Sequence, residues 1–281
     1  MDNRKFYLPI GYKYNGTNIL DIDIAETGGE AEKVYTKKPS QTNVYSWFAK
    51  VIAVSSERIA DKSVSEDFIK SKDEEIPEIV KQIPLIDAGT LLIQVQRECW
   101  EDKISEQEIK CRNCGSTLVA EVDLNKIDIP NSDNSEREPM EYYEVKLPRT
   151  YTISTDIEQL KEYDGLKFNH LRFRVATLGD AIKHEKVSKD EVLFWRNIAF
   201  DTLTGLFYKG DDGVVDEVPN RYISLRGKQL FTKDFNTKTL REVRKGMQTT
   251  LPSAKYFYNE ECPECGQDTP LFASVGHFFM V

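Results

Sequence analysis

Two five-residue knuckles, Cys111-Arg112-Asn113-Cys114-Gly115 and Cys262-Pro263-Glu264-Cys265-Gly266, hold four of the five cysteines and constrain the fold more than any other feature. Cys-x-x-Cys is the turn that presents two thiolates to one metal ion. The Gly after it takes positive φ, so that backbone N–H groups turn toward the sulfurs. Two such knuckles supply the four thiolates of a tetrahedral, structural Zn2+ site, and the predicted ligands are Cys111, Cys114, Cys262 and Cys265. With 147 residues between the knuckles, one four-cysteine site requires a fold that has already brought the two segments together. It would then clamp the C-terminal tail onto the end of the first half. The alternative is two half-sites, each completed by another chain or by non-Cys ligands, and His277 is the only His near either knuckle.

The flanks favour hairpins. Glu108-Ile109-Lys110 leads into the first knuckle and Thr117 to Leu124 leads out; Ala254 to Tyr258 and Thr269 to Phe272 flank the second. A redox dithiol would need a helix N-terminus after a strand, and neither knuckle has that context. A closed four-cysteine site leaves no coordination position for water or substrate, so its role is structural. Cys99, beside Trp100, reads as an ordinary buried thiol.

No apolar run approaches the roughly 18 residues of a membrane helix, and Met1 to Phe6 lacks the apolar core of a signal peptide. A cytosolic, reducing compartment is expected, where paired cysteines bind metal more often than they oxidise. The net charge of −9 opposes general nucleic-acid binding. The local exception is Arg221 to Lys255, with nine Lys or Arg against Asp234 and Glu242. It reads as a solvated basic face that docks on the acidic remainder of the chain or on a partner protein; a zinc-ribbon nucleic-acid-binding protein using this 221–255 segment is the competing reading. P-loop, dinucleotide-binding, nucleophile-elbow and zinc-protease motifs are missing from the sequence, and His170, His184 and His277 are scattered. No residue is assigned a catalytic role, and no enzyme is expected.

The fold class expected is α+β, with two similar mixed halves that each end in a zinc-knuckle β-hairpin. The predicted division is an N-terminal half over 1–129, a polar linker between two prolines over 130–139, and a C-terminal half over 140–281. Each half opens on a strand with Leu-Pro (Leu8-Pro9, Leu147-Pro148), continues through a tryptophan-bearing helix and finishes on a knuckle. Trp47 to Cys111 spans 64 positions and Trp195 to Cys262 spans 67, a hint of internal duplication. The first helix is predicted from Val44 to Ile59 with Asn43 as N-cap. The second opens on a Ser188-Lys189-Asp190-Glu191 capping box, buries Val192, Trp195 and Ile198, and stops at Gly205. A third spans Asp87 to Arg97. Strands are predicted at 19–24, 118–124 and 170–175, loop with short helix at 55–81, and a hairpin tip at 210–213.

Taken in order, the Leu-Pro strand, the amphipathic helix, Ile83-Pro84-Leu85-Ile86-Asp87-Ala88-Gly89, the first knuckle, Val122-Asp123-Leu124, the Cys262-Pro263-Glu264-Cys265-Gly266 turn and Phe278-Phe279 resemble the baseplate or baseplate-hub assembly proteins of T4-type contractile-tailed phages and related contractile injection systems. The resemblance implies a non-enzymatic structural or assembly role in a viral tail baseplate. The implied partners are other tail or baseplate proteins, with several copies in a symmetric assembly. The implied location is the host cytoplasm during assembly, with the protein then either retained in the virion tail or injection particle or released as a transient assembly factor.

Overall fold

A computed structural model of the chain describes residues 4–26, 28–37, 39, 43–71, 74–131, 136–188, 190–210 and 215–273. The molecule is mixed α/β, with several sheets and helices. It divides into two compact units, one formed by Met1–Pro139 with Pro252–Val281 and the other by Met140–Leu251. This differs from the expected 140–281 half, because residues 252–273 pack with the first unit. The flanks of the expected 130–139 linker are also tied down. Asn131 Nδ2 donates to the Pro9 carbonyl at 3.1 Å and Arg137 Nη1 to the Ile10 carbonyl at 2.8 Å. Residues 132–135 lie outside the described residues.

In the first unit β1 (Lys5–Tyr14), β2 (Thr17–Ile24), β3 (Ser56–Ile59) and β4 (Lys62–Ser63) form an antiparallel sheet in that order. Asn15 and Gly16 join β1 to β2, both at positive φ, the chemistry that a two-residue hairpin turn demands. Helices α1 (Gly29–Tyr35), α2 (Val44–Ser55), α3 (Ser65–Lys70), α4 (Glu78–Lys81) and α5 (Leu85–Val95) follow around β3 and β4, and α5 closes with a π turn at Gln96–Trp100. The α2 helix ends before the expected Ile59. Ser55 and Ser56 return their hydroxyls to the carbonyls of Val51 and Ile52 at 2.6 Å each, and such back-bonding competes with helix continuation. Ser56–Ile59 instead pairs with β2. The 55–81 stretch thus holds two strands and two helices, more structure than its charge density suggests.

The α5 helix holds β1 through polar side chains. Its positions from Asp87 to Val95 are all buried, and Asp87 and Gln94, seven residues apart, share one face. Register between β1 and β2 breaks from Tyr7 to Tyr12, around Leu8-Pro9. Proline has no N–H to give a ladder, so it belongs at an edge or a bulge. Here the side chains of α5 replace a neighbouring strand. The Asp87 carboxylate accepts from the N–H of Ile10 at 2.9 Å and of Gly11 at 2.8 Å. Gln94 accepts from the Tyr7 N–H at 2.8 Å and donates to the Tyr7 carbonyl at 2.7 Å. Gly11 takes φ +70°, and a Cβ there would meet the Ile19 carbonyl at 2.7 Å. An edge strand is thereby covered, which removes a template for unwanted pairing.

Hairpins β5 (Lys103–Lys110) with β6 (Thr117–Asp123), and β11 (Phe257–Glu261) with β12 (Asp268–Phe272), complete the unit. The second unit has β7 (Tyr142–Thr152), β8 (Lys167–Arg174), β9 (Leu203–Lys209) and β10 (Val215–Val218), again antiparallel and adjacent in chain order. Its helices are α6 (Leu178–Glu185) and α7 (Glu191–Thr202) before β9, then α8 (Asn220–Gln229), extended by a π turn at Leu230–Asp234, and α9 (Thr237–Thr249). Register breaks between Lys146 and Tyr151, around Leu147-Pro148. The cap of α7 is Asp190, which accepts from the Leu193 N–H at 2.7 Å, two residues later than the expected Ser188 box. Gly205 lies inside β9 and not at a helix stop, since α7 runs straight into the strand. A Cβ there would sit 2.5 Å from the Phe207 ring. Residues 211–213 of the expected hairpin tip lie outside the described residues.

Full burial pushes the Asp87 carboxyl up to about 7, against the pull of the Ile10 and Gly11 N–H groups and of Arg137. In the unfolded chain the group titrates near about 3.9. Between those values the native state holds a proton that the unfolded chain has released. The contribution of Asp87 to stability is therefore complete below pH ~4 and declines as pH rises through about 7. Asp87→Asn should flatten this part of the stability profile, read as urea midpoints at pH 5 and pH 8 for both proteins. Asp87→Ala, which strips two buried N–H groups of their acceptor, should destabilise by about 2–4 kcal/mol.

Candidate metal centre

The two knuckles have one local structure. In the first, the Cys111 N–H bonds to the Ser116 carbonyl at 2.9 Å and the Gly115 N–H to the Cys111 carbonyl at 3.0 Å; in the second, the Cys262 N–H bonds to the Gln267 carbonyl at 3.0 Å and the Gly266 N–H to the Cys262 carbonyl at 2.8 Å. Gly115 and Gly266 sit at φ +76° and +68°, a region that costs a glycine nothing. In each knuckle the first cysteine is buried, at 3% exposure for Cys111 and 0% for Cys262.

The structure brings all four predicted cysteines together, every sulfur within 4.8 Å of every other. They pair first with last: Cys111 Sγ lies 3.7 Å from Cys265 Sγ, and Cys114 Sγ lies 3.8 Å from Cys262 Sγ. A disulfide needs about 2.05 Å, so these are four separate thiols. Sulfurs placed about 2.3 Å from a central zinc at tetrahedral corners stand about 3.8 Å apart, the spacing observed. Donor type, donor number and separation all fit a tetrathiolate metal site.

Electrostatics at the sulfurs is uneven. The N–H groups of Cys114 and Asn113 pull the Cys111 thiol down to about 6. The Ser116 hydroxyl pulls Cys262 down. The Asn113 side chain and the Gln267 N–H favour the Cys265 thiolate, but burial and the neighbouring Cys114 and Cys111 sulfurs hold that thiol up. Ser116, which no metal-binding pattern singles out, lies within 2.9 Å of Cys114 Sγ and 3.4 Å of Cys262 Sγ.

The second hairpin is carried to the first by the segment before it. The Ala254 N–H meets Thr90 Oγ1 at 3.3 Å. The Tyr256 side chain lies on α5 at Gly89, where a Cβ would stand 2.0 Å from its hydroxyl, and burial pushes this phenol up to about 12. Tyr258 Oη accepts from the Asp123 N–H at 2.8 Å, and Lys126 pairs with Glu260 at 2.9 Å. None of these residues belongs to a metal-binding pattern; only Gly89, inside an apolar helix, is conspicuous in the sequence.

Of the other residues singled out, Cys99 is half-buried, and burial pushes its thiol up to about 11. His277 and Phe278-Phe279 lie outside the described residues. His170 sits in β8, its pKa lowered by burial. His184 Nε2 meets Asp201 Oδ2 at 2.8 Å and so ties α6 to α7. Of the basic 221–255 residues, Lys255 falls in the first unit and the rest spread over α8, the π turn and α9; some are engaged by carboxylates, with Arg226 near Asp234 at 3.9 Å and Arg244 near Glu191 at 3.6 Å. Among the described residues, no helix is long and apolar enough to cross a membrane.

Residues 50–280 match the family model described as T4 bacteriophage base plate protein. The chain belongs to that family. The match runs through both knuckles and both units, so the sulfur cluster is part of a baseplate-family protein and not of an appended module. No curated protein and no solved structure matches the chain.

Gly89→Leu, which fills the place of the Tyr256 side chain, should unseat the C-terminal segment from α5. A loss of about 2 kcal/mol is expected, with faster amide exchange confined first to residues 254–261, as read by hydrogen–deuterium exchange.

Proposed function

We propose that this baseplate-family chain is a non-enzymatic structural or assembly protein of a contractile tail or injection system. It works through contacts with other tail or baseplate proteins and is held in shape by one zinc ion on Cys111, Cys114, Cys262 and Cys265. The observation that carries the baseplate role is the family match over 50–280. The zinc reading rests on sulfur separations of 3.7 and 3.8 Å, the edge length of a zinc tetrathiolate. Four thiolates close the coordination sphere, so the ion's contribution is a cross-link between segments 148 residues apart. Assembly takes place in the host cytoplasm, with several copies in a symmetric baseplate and retention in the tail particle.

We read the two sequence halves as copies of one unit, β-β-α-α-β-β followed by further helices and a knuckle hairpin. The support is the shared chain-order sheet topology, the helix that enters the third strand without a loop in both, and the register breaks around Leu8-Pro9 and Leu147-Pro148.

Metal analysis of the protein purified under reducing conditions should return one zinc per chain. Cys262→Ser should lose it and lower the thermal midpoint by about 10–20 °C, since a cross-link closing so long a loop is removed. Zinc-free wild-type protein with an unchanged midpoint would defeat the metal reading. For the role itself, a phage lacking the gene should stall before complete baseplates form, and electron microscopy of its lysates should show that arrest; intact, infective tails would count decisively against it.

A further inference from the structure

The apolar stripe of α7 is not all core. Val192 is 57% exposed and Trp195 is half-buried. Both line a cavity of about 330 Å3 between α7 and α9, with Leu240 and Met247 on the opposite wall. Arg196, Arg241 and Arg244 line it as well. Arg196 Nε is buried with no hydrogen-bond partner among the described residues. Arg241 is exposed and has no ion pair among them, and Arg244 reaches only the exposed Glu191, at 3.6 Å. The chain as a whole carries −9. An apolar slot walled by two helices and edged with three arginines, of which Arg244 alone meets a carboxylate among the described residues, is therefore a local reversal of the molecule's charge.

We propose that this groove docks one amphipathic helix of another baseplate protein, with aliphatic side chains in the slot and Asp or Glu beside them on Arg196 and Arg241. The inference rests on the assembly role above and names its surface. Helix-in-groove recognition uses anchors at i, i+3 or i+4 and i+7, which suits a slot lying between two helices. Charge complementarity selects an acidic partner and repels a basic one. Arginine is the residue suited to holding carboxylates in two-point contact. Nucleic acid fits less well, since phosphate contacts make no use of the Val192, Trp195 and Met247 walls.

The test uses the full chain and a fluorescein-labelled synthetic helical peptide with Leu anchors at i, i+4 and i+7 flanked by Glu, read by anisotropy. Parallel probes are the same peptide with Lys in place of Glu, and a single-stranded oligothymidylate. The Glu peptide should bind. Val192→Glu and Arg241→Glu should each weaken it tenfold or more with zinc content and thermal midpoint unchanged, and Arg241→Glu should improve binding of the Lys peptide. Three results would overturn the proposal: neither peptide binds up to millimolar concentration; the two peptides bind alike; or the oligothymidylate displaces the Glu peptide. Incorporation separates this inference from the reading beneath it. Val192→Glu protein entering baseplates as well as wild type overturns the docking groove alone, whereas wild-type protein absent from baseplates and their assembly intermediates overturns the assembly role.

Discussion

The hydrogen bonds from Asp87 and Gln94 to the backbone of β1 hold the first unit together at its least regular point. A strand interrupted by Leu8-Pro9 cannot keep its ladder with β2, and the groups left over must find acceptors and donors or stay buried and unpaired at a cost of about 1–3 kcal/mol each. The α5 helix supplies them from one face. The same helix offers Gly89 and Thr90 to Tyr256 and Ala254, so the position of the C-terminal hairpin depends on it too. A helix buried along nearly its whole length thus serves as the common wall for an edge strand and for a segment 164 residues away in sequence.

The four sulfurs meet because two independently formed hairpins present the same turn. Each knuckle fixes its own pair of thiols through local backbone bonds, and α5 fixes one hairpin relative to the other. A metal ion held by such an arrangement would tie together two hairpins that the packing of Ala254 and Tyr256 on α5 also joins. The exposed carboxylate–ammonium pairs around the hairpins, such as Lys103 with Glu121, contribute little beside these backbone and sulfur contacts.

What could be read from the sequence was what is local. Cys-x-x-Cys-Gly specifies its own turn, so the knuckles, their hairpin context and the four cysteines were legible, and the order of the features carried the baseplate resemblance. Features that depend on a distant neighbour were not. Asp87 looked like one polar residue in an apolar helix, because its partners are the Ile10 and Gly11 N–H groups. Ser55 and Ser56 end α2 through side-chain bonds that helical periodicity does not register. Gly205 resembles a helix stop in sequence, yet the strand partners of β9 extend the chain through it. The spacing of Val192 and Trp195 matched a core stripe, and only the packing of α9 leaves Val192 exposed over a groove. The assignment of 252–273 to the first unit could not have been read at all, since the contacts that decide it, Tyr256 on Gly89 and Tyr258 on Asp123, join segments with no shared pattern.

The long separation of the knuckles also imposes a timetable on synthesis. When Cys114 leaves the ribosome, Cys262 lies 148 residues behind, about 7–30 s at ~5–20 residues per second. Throughout that interval the first hairpin carries an incomplete pair of thiols, and the α5 surface at Gly89 waits uncovered for Tyr256. The whole of 140–251 emerges in between and has time to fold as a unit of its own before the first is sealed. The joining of the two hairpins therefore waits on the second knuckle, and a chain truncated before Cys262 would present two unpartnered thiols and a bare helix face at Gly89.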